Sequence, residues 1–338
     1  MSTEEPTTAT RVDELVDVLD SGDSLAVICH DNPDPDCIAS ALALREIAVH
    51  QGFDDVAVFY AGEVSHQQNR AFVNLLAVAM ERFDAEALEE YDLVGFVDHS
   101  VKGANNRVAD DIDVDIVIDH HPSENGVDAR FVDIREDYGA TTTMLVEYLR
   151  ALDVELYENL ATAMLFAIRS ETLDFVRDVT DKEYEAAQYL HGRADLDTLR
   201  QMARPAFTPQ TLDTIGQAIM NREIRASSLI AGVGRTTERD ALPQAADYLM
   251  NLEGVATVLV FGIIDGEIHI SARSSDSRVN LDRVVRDAFG DVGSAGGHQG
   301  MAGAQVPLGI FSDMTESDDE LIDLSNEIIK KRFFDAMN

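Results

Sequence analysis

Three short runs in this chain set carboxylates beside imidazoles: His30-Asp31-Asn32-Pro33-Asp34-Pro35-Asp36, Asp98-His99-Ser100 and Asp119-His120-His121-Pro122. Each follows an apolar, strand-like run, so each puts its polar groups at a strand end. Crowded carboxylates repel one another unless positive charge is supplied. Together with imidazole they form a mixed nitrogen and oxygen donor set, which suits Mn2+ or Mg2+ better than the thiolate-rich sites of structural zinc. Two such ions about 3.5–4 Å apart turn a bridging water into hydroxide and stabilise the entering and leaving oxygens of a phosphoryl displacement. The first run also has a plain structural reading, an Asn-Pro-Asp turn in which Asp36 caps the helix that follows. For the paired histidines the plain reading is solvated loop residues.

The elements that must position these runs alternate. Strand-like runs at 24–29, 55–60, 92–97 and 114–118 are separated by helix-like segments at 37–51 and 66–79, preceded by helical spacing at 12–19 that stops at Ser21-Gly22. Alternation predicts an α/β fold, a parallel sheet with helices on both faces. His30, Asp98 and the 119–121 run then lie just past C-terminal strand ends, where open α/β sheets bind ligands. From Gly139 to about 221 the pattern is helical, with Gly139-Ala140-Thr141 opening one helix and Thr208-Pro209 another. A second, smaller α/β unit starts at Ile224, with strands at 226–233, 255–264 and 267–272 around an Asp265-Gly266 turn. Helices at 241–251 and 280–289 and a glycine-rich segment complete it. The expected division is a mobile N-terminus and first helix at 1–20, a catalytic domain at 21–190, a helical connector at 191–223 and a substrate-binding domain at 224–338, with an active-site cleft between the lobes.

Composition bounds the function. At about 150 residues per domain, 338 residues make two domains. Hydrophobic residues at 45% and charged residues at 26% fit a chain folded in water. The longest apolar stretch, 255–264, is far short of the about 20 residues that span a bilayer. The acidic N-terminal segment lacks a secretory pattern, so the expected location is the cytoplasm, with no membrane partner. Cys29 and Cys37 are too few for a disulfide framework and read as reduced packing thiols. The net charge of −37 is spread along the chain, and only Lys102, Lys182, Lys330 and Lys331 among its 26 basic residues are lysines. That bias resembles proteins of halophilic archaea, since salt near 1 M shortens the Debye length to about 3 Å and screens the self-repulsion. No basic patch is present to grip long duplex DNA.

The runs HDNPDPD, VDHS and VIDHHP, in this order and spacing, resemble the first three motifs of the DHH (Asp-His-His) phosphoesterase superfamily. SARSS and GSAGGHQGMAGA resemble its associated C-terminal substrate-binding domain. The likeness covers most of residues 20–310 and points to the group containing nano-RNases, RecJ-like nucleases and cyclic di-AMP phosphodiesterases. It implies two Mn2+ ions, with Mg2+ as the substitute, one held by His30, Asp34 and Asp98 and the other by Asp36, Asp98 and His120, with Asp98 bridging. Asp98, His120 and His121 would be the catalytic set, and Asn32 and Asp119 would support it. The family's fourth motif usually supplies an Asp in a Thr-Asp-Thr-Gly-like sequence; here the stretch is Arg169-Ser170-Glu171-Thr172-Leu173-Asp174-Phe175, so Glu171 takes the ligand position, with Asp174 as the alternative. Ser271, Arg273, Gly296, Gly297 and His298 would bind substrate, with Ala295 where the family often has a third glycine. The stretch 66–70 would face the cleft.

The implied activity is a Mn2+-dependent phosphodiesterase, a hydrolase that cuts short RNA oligonucleotides or linear dinucleotides to mononucleotides by attack of metal-bound hydroxide on phosphorus. Cyclic di-AMP hydrolysis and pAp dephosphorylation are same-chemistry alternatives, whereas the family's pyrophosphatases use a different C-terminal domain. The alternative of another class is a catalytically weakened nucleotide sensor or complex subunit. A homodimer is compatible with this reading.

Overall fold

The computed structural model describes residues 8–64, 67–103, 105–122, 128–204, 207–309 and 318–337. Residues 1–7, expected to be mobile, and His66 of the 66–70 stretch lie outside the described residues. The chain forms two compact units, Met1–Pro205 and Ala206–Asn338.

In the first unit, six strands form one wholly parallel sheet: β1 (Ser24–Ile28), β2 (Asp55–Tyr60), β3 (Glu81–Arg82), β4 (Leu93–Val97), β5 (Ile116–Asp119) and β6 (Phe131–Ile134), in the order β3-β2-β1-β4-β5-β6. The progression reverses between β1 and β4, which makes their C-terminal ends the switch point where α/β sheets open a crevice. His30 follows β1 and Asp98 follows β4.

Among the described residues, seven helices accompany the sheet: α1 (Thr8–Leu19), α2 (Pro35–His50), α3 (Gln67–Leu75), α4 (Thr141–Ala151), α5 (Glu158–Glu171), α6 (Asp181–His191) and α7 (Leu196–Ala203). Strand pleating sends Leu25 and Val27 to one face and Ala26 and Ile28 to the other. The helices pack their apolar residues with Leu25 and Val27. The sequence led us to expect helices on both faces; the Ala26 and Ile28 face is instead covered by a 3-10 turn at Ala87–Glu90 and by Val108 and Val114. Helix α2 is apolar almost all round because the sheet, α4 and α5 enclose it. Met144, Met164 and Met202 fill this core, as their helical spacing predicts.

The second unit has its own six-stranded sheet, ordered β11-β12-β10-β9-β8-β7. Its strands are β7 (Arg222–Arg225), β8 (Ser228–Arg235), β9 (Thr257–Ile264), β10 (Glu267–Ser274), β11 (Ser294–Gly297) and β12 (Met301–Pro307). β8 and β9 pair in parallel and the remaining pairs are antiparallel. Asp265 and Gly266, with φ of 48° and 81°, make the tight turn between β9 and β10. Helices α8 (Pro209–Met220) and α9 (Ala241–Leu249) pack on one face, α10 (Leu281–Phe289) and α11 (Asp318–Ala336) on the other. Thr208 caps α8 by accepting the Thr211 N–H at 3.0 Å.

The 191–223 span is thus shared: α7 packs in the first unit's core and α8 in the second's. The glycine-rich segment is a β-hairpin, β11 to β12, and the sequence reading did not foresee β3, β6, β7 or α11.

Candidate active site

Four loops at the C-terminal edge of the first sheet, together with the ends of α4 and α5, bring the acid and imidazole runs together. After β1 the backbone turns through Asn32, whose φ is 57°. The Asn32 carboxamide oxygen accepts the Glu63 N–H at 2.9 Å, so this side chain ties the first loop to the loop after β2. Asp34 is the N-cap of α2, its Oδ1 accepting from the N–H groups of Asp36 and Cys37 at 3.0 and 3.1 Å. The local capping role therefore belongs to Asp34 and not to Asp36.

Asp36, 1% exposed, turns to α4 instead. Its Oδ2 accepts the Thr141 N–H at 2.8 Å and its Oδ1 the Thr142 N–H at 2.9 Å. The N-cap residue of α4 is Ala140, which has no side chain for the purpose, so Asp36 supplies the missing acceptor and its charge sits at the positive end of that helix.

Asp98 is the hub. It is buried, with a left-handed φ of 64°, an unusual conformation for a non-glycine residue. The Thr141 hydroxyl donates to its Oδ1 at 2.8 Å. His30 Nε2 stands 3.6 Å from Oδ2, and His120 Nε2 stands 3.6 Å from Oδ1 and 3.9 Å from Asp36 Oδ2. Each imidazole is fixed by its other nitrogen, His30 Nδ1 on the Asp31 carbonyl at 3.1 Å and His120 Nδ1 on the Tyr138 carbonyl at 3.0 Å. With Nδ1 engaged on a backbone carbonyl, each ring is oriented so that its Nε2 faces the carboxylates. His120 Nε2 is buried without a hydrogen-bond partner. His121 donates from Nδ1 to Asp119 Oδ1 at 2.9 Å and is half exposed at the rim.

Electrostatics follow from the crowding. Burial, then the Asp36 charge, pushes the Asp98 carboxyl well above the usual range, and burial also raises Asp34. Burial alone would depress His30, but the Cys37 sulfur, whose thiolate form this setting favours, and the bond to Asp98 hold it up to about 12. Burial would raise Asp119 as well; its bonds from His121 outweigh that and keep it low, while the same contact raises His121. Crowding thus favours proton uptake by the buried carboxyls unless other positive charge is supplied.

Glu171, the last residue of α5, belongs to this neighbourhood: burial raises its carboxyl, and the charges of Asp36 and Asp34 raise it further. Asp174 points away, mostly exposed and bonded to Arg169 at 2.8 Å. Among the described residues, two triads have ligand atoms mutually within 4.8 Å, His30 with Cys37 and Asp98, and Asp98 with His120 and His121. The sequence reading missed Thr141 and the Tyr138 carbonyl, and it took Cys37, which flanks the first loop, as a packing residue. The Gly139-Ala140-Thr141 helix opening was the available signal for Thr141, since an uncapped helix start requires an acceptor from elsewhere.

In the second unit, Ser271 and Arg273 lie on β10, with Arg273 Nη1 donating to Ser271 Oγ at 3.2 Å and Nε to Asp247 at 2.6 Å. Gly296 and Gly297 lie on β11, His298 is exposed just after them, and the Gly297 N–H donates to Asp282 at 2.8 Å. Gly297, at φ 157°, has a structural reason to be glycine: a Cβ there would come within 2.3 Å of the Met301 carbonyl oxygen.

The chain matches the family model for the DHH family, N-terminal domain, over residues 24–168, and that for the DHHA1 domain over residues 226–331. It is 37% identical over 315 residues to an uncharacterized protein of Methanocaldococcus jannaschii, covering 93% of this chain and 64% of that protein. Over 174 residues it is 36% identical to a probable manganese-dependent inorganic pyrophosphatase of Listeria monocytogenes, covering 51% of this chain and 56% of the relative. It is 26% identical over 311 residues to the cyclic-di-AMP phosphodiesterase PdeA of Listeria monocytogenes, covering 86% and 46%. The chain thus spans about half to two thirds of the length of these curated relatives. An exopolyphosphatase-related protein from Bacteroides fragilis has the same fold, with a TM-score of 0.72 at 15% identity over 99% of this chain and 100% of that one. Among the described residues, no helix is long and apolar enough to cross a membrane.

Proposed function

Because this chain belongs to the DHH family and carries a DHHA1 domain, we propose that it is a phosphoesterase dependent on divalent cations, Mn2+ foremost, that hydrolyses short linear oligonucleotides or dinucleotides. One observation carries the reading: the Nε2 atoms of His30 and His120 both stand 3.6 Å from the buried Asp98 side chain, one at each of its oxygens, and His120 Nε2 has no hydrogen-bond partner. Imidazoles oriented through Nδ1 beside uncompensated carboxylates are a donor set that fits a hard divalent cation. His30, Asp34 and Asp98 would hold one ion and Asp36, Asp98, His120 and Glu171 a second. Bound there, the cations supply an activated water and neutralise charge on the phosphoryl oxygens.

The protein's own groups do the rest. Asp98, fixed by Thr141 and by its left-handed backbone, keeps both halves of the site in register. Asp36 is held at the N-terminus of α4 by two N–H groups, each of its oxygens retaining a lone pair toward the cluster. His121, whose bond to Asp119 favours its protonated form, stands at the rim, where it would give a proton to the leaving oxygen. In the second unit, Ser271, Arg273 and the segment from Gly296 to His298 are the proposed nucleotide-binding groups, with Arg273 suited to a terminal phosphate. The PdeA relative acts on a cyclic dinucleotide and the pyrophosphatase relative is manganese-dependent, which supports the cation and a short phosphate ester.

The test is time-resolved product analysis with Mn2+ in about 1 M KCl, where self-repulsion is screened. A five-nucleotide RNA, a 5′-phosphorylated adenine dinucleotide, cyclic di-AMP, pAp and inorganic pyrophosphate are offered in parallel, with Asp98→Ala as control. Stepwise release of mononucleotides by the parent and none by the variant is the expected result. Turnover of pyrophosphate alone would overturn the substrate class, and no turnover at all would leave a nucleotide sensor.

A further inference from the structure

The loop after Glu171 contains three successive non-glycine residues in the left-handed region, Leu173 (φ 50°), Asp174 (55°) and Phe175 (64°), and Asp178 (49°) follows. Each carries a steric cost between its Cβ and the neighbouring carbonyl, so the surrounding structure must enforce the turn. Enforcement is visible. The N–H groups of Val176 and Arg177 both donate to the Thr172 carbonyl, at 2.8 and 2.9 Å, Asp174 is tied to Arg169, and Phe175 stacks on Tyr184 with ring centroids 5.2 Å apart. Gly139 admits the loop from below, since a Cβ there would meet the Asp178 carbonyl oxygen at 2.2 Å. The result is that the chain doubles back within six residues. Arg177 Nη2 donates to the Glu171 carbonyl at 2.6 Å and to Glu171 Oε1 at 2.7 Å.

Five acids face this neighbourhood, Asp34, Asp36, Asp98, Asp119 and Glu171, and among the described residues Arg177 is the guanidinium that bonds to any of them. It is 48% exposed, at the rim. We propose that Arg177 binds a phosphoryl oxygen of the substrate, and that it is held in readiness by Glu171, which releases it when the same carboxylate is claimed by a divalent cation. The inference rests on the cation-dependent phosphoesterase reading above. Its physical basis is competition: Glu171 Oε1 cannot serve the guanidinium and a cation equally well, and a planar fork freed at the rim of an otherwise acidic site matches a phosphate. The strained turn is then the device that presents the fork, beyond mere closure of α5.

Competition makes two effects of opposite sign. Removing the Arg177 charge frees Glu171 and tightens cation binding, yet it deprives the substrate of a contact. A purely structural Arg177 would weaken both. The experiment uses the full chain and the variants R177A, R177Q and R177K, with Mn2+ binding followed by electron paramagnetic resonance without substrate, and kcat and KM then measured on the 5′-phosphorylated adenine dinucleotide. R177Q keeps a donor for the Glu171 carbonyl, and circular dichroism checks its fold, so it carries the test if R177A does not fold. We expect Mn2+ to bind R177A and R177Q about 2–5-fold tighter, as suits a half-exposed ion pair. KM should rise about tenfold with a smaller change in kcat, and R177K should fall between the parent and R177Q. Unchanged or weaker Mn2+ binding in R177Q, or an unchanged KM, overturns the proposal while the phosphoesterase reading stands. A parent chain that neither binds Mn2+ nor turns over any substrate, and so matches Asp98→Ala, overturns both.

Discussion

The Asp36 carboxylate accepts the Thr141 N–H at 2.8 Å from 105 positions away, and the hydroxyl of the same threonine donates to Asp98, also at 2.8 Å. Thr141 thereby couples two acids of the site to one helix start, and the site is built into the α4 terminus as much as into the loops. Loss of Asp36 would leave two buried N–H groups without acceptors. Asp36→Ala should destabilise the cation-free chain by about 2–4 kcal/mol, and Asp36→Asn by less, because the amide oxygen still accepts. Urea unfolding of both variants checks the order.

Tyr138 works through its backbone and its ring. Its carbonyl orients His120, while its hydroxyl donates to Glu147 at 2.9 Å and accepts from Arg135 at 2.9 Å. Tyr138→Phe removes the hydroxyl and keeps the carbonyl, so the loop is loosened without deleting a donor of the site. Mn2+ affinity should fall about tenfold with the fold intact, as for other groups that orient a coordinating histidine; titration calorimetry reads it.

The pH dependence has a definite sign. Asp98 and His30 both bind a proton more tightly in the folded chain than their ordinary values imply. Their contribution is therefore present at low pH and lost as pH rises: for His30 it is complete below about 6.5, its unfolded value. It then disappears progressively as the pH climbs through about 12. The melting temperature of the cation-free chain should fall between about pH 5 and about pH 9. Asp98→Asn, which carries no titrating proton, should flatten that slope, and added Mn2+ should flatten it too.

Strain at Leu173 is testable by relief. The residue is exposed with φ of 50°, so a glycine loses little packing and escapes the left-handed penalty. Leu173→Gly should stabilise the chain by about 0.5–1 kcal/mol, read as a rise in melting temperature; a fall would mean that the leucine side chain holds the turn.

Net charge sets the final expectation. With −37 on 338 residues, raising KCl from about 0.1 M to about 1 M should increase the melting temperature steeply, as self-repulsion is screened. An equal osmolality of sucrose should produce a smaller rise.

How far the sequence could be read depended on whether the cause was local. The strands that end at His30, Asp98 and Asp119 announce themselves as apolar runs stopped by polar residues, and Thr208-Pro209 opens α8 through a contact only three residues long. β6 is four residues with alternating burial, and β3 is two, too short for a periodicity to register. Of the two readings the sequence allows for Asp36, the local cap fails because its partners lie on α4, whose placement no neighbouring residue encodes. Glu171 and Asp174 differ only in where α5 stops: the turn carries Asp174 out to Arg169 and leaves Glu171 beside the other acids. Gly296 and Gly297 suggested room for a ligand, whereas at Gly297 the close neighbour is β12 of the same hairpin.

The division into two units also orders events in time. Every residue of the acid and imidazole cluster, from His30 to Glu171, precedes Pro205, and the apolar residues packed behind it belong to the same unit. During synthesis, where amino-terminal domains fold first, the cluster can therefore be assembled, and any cation it takes can be bound, while the second unit is still being made. The surplus of buried carboxylates would then be neutralised early, before the rest of the chain has left the ribosome.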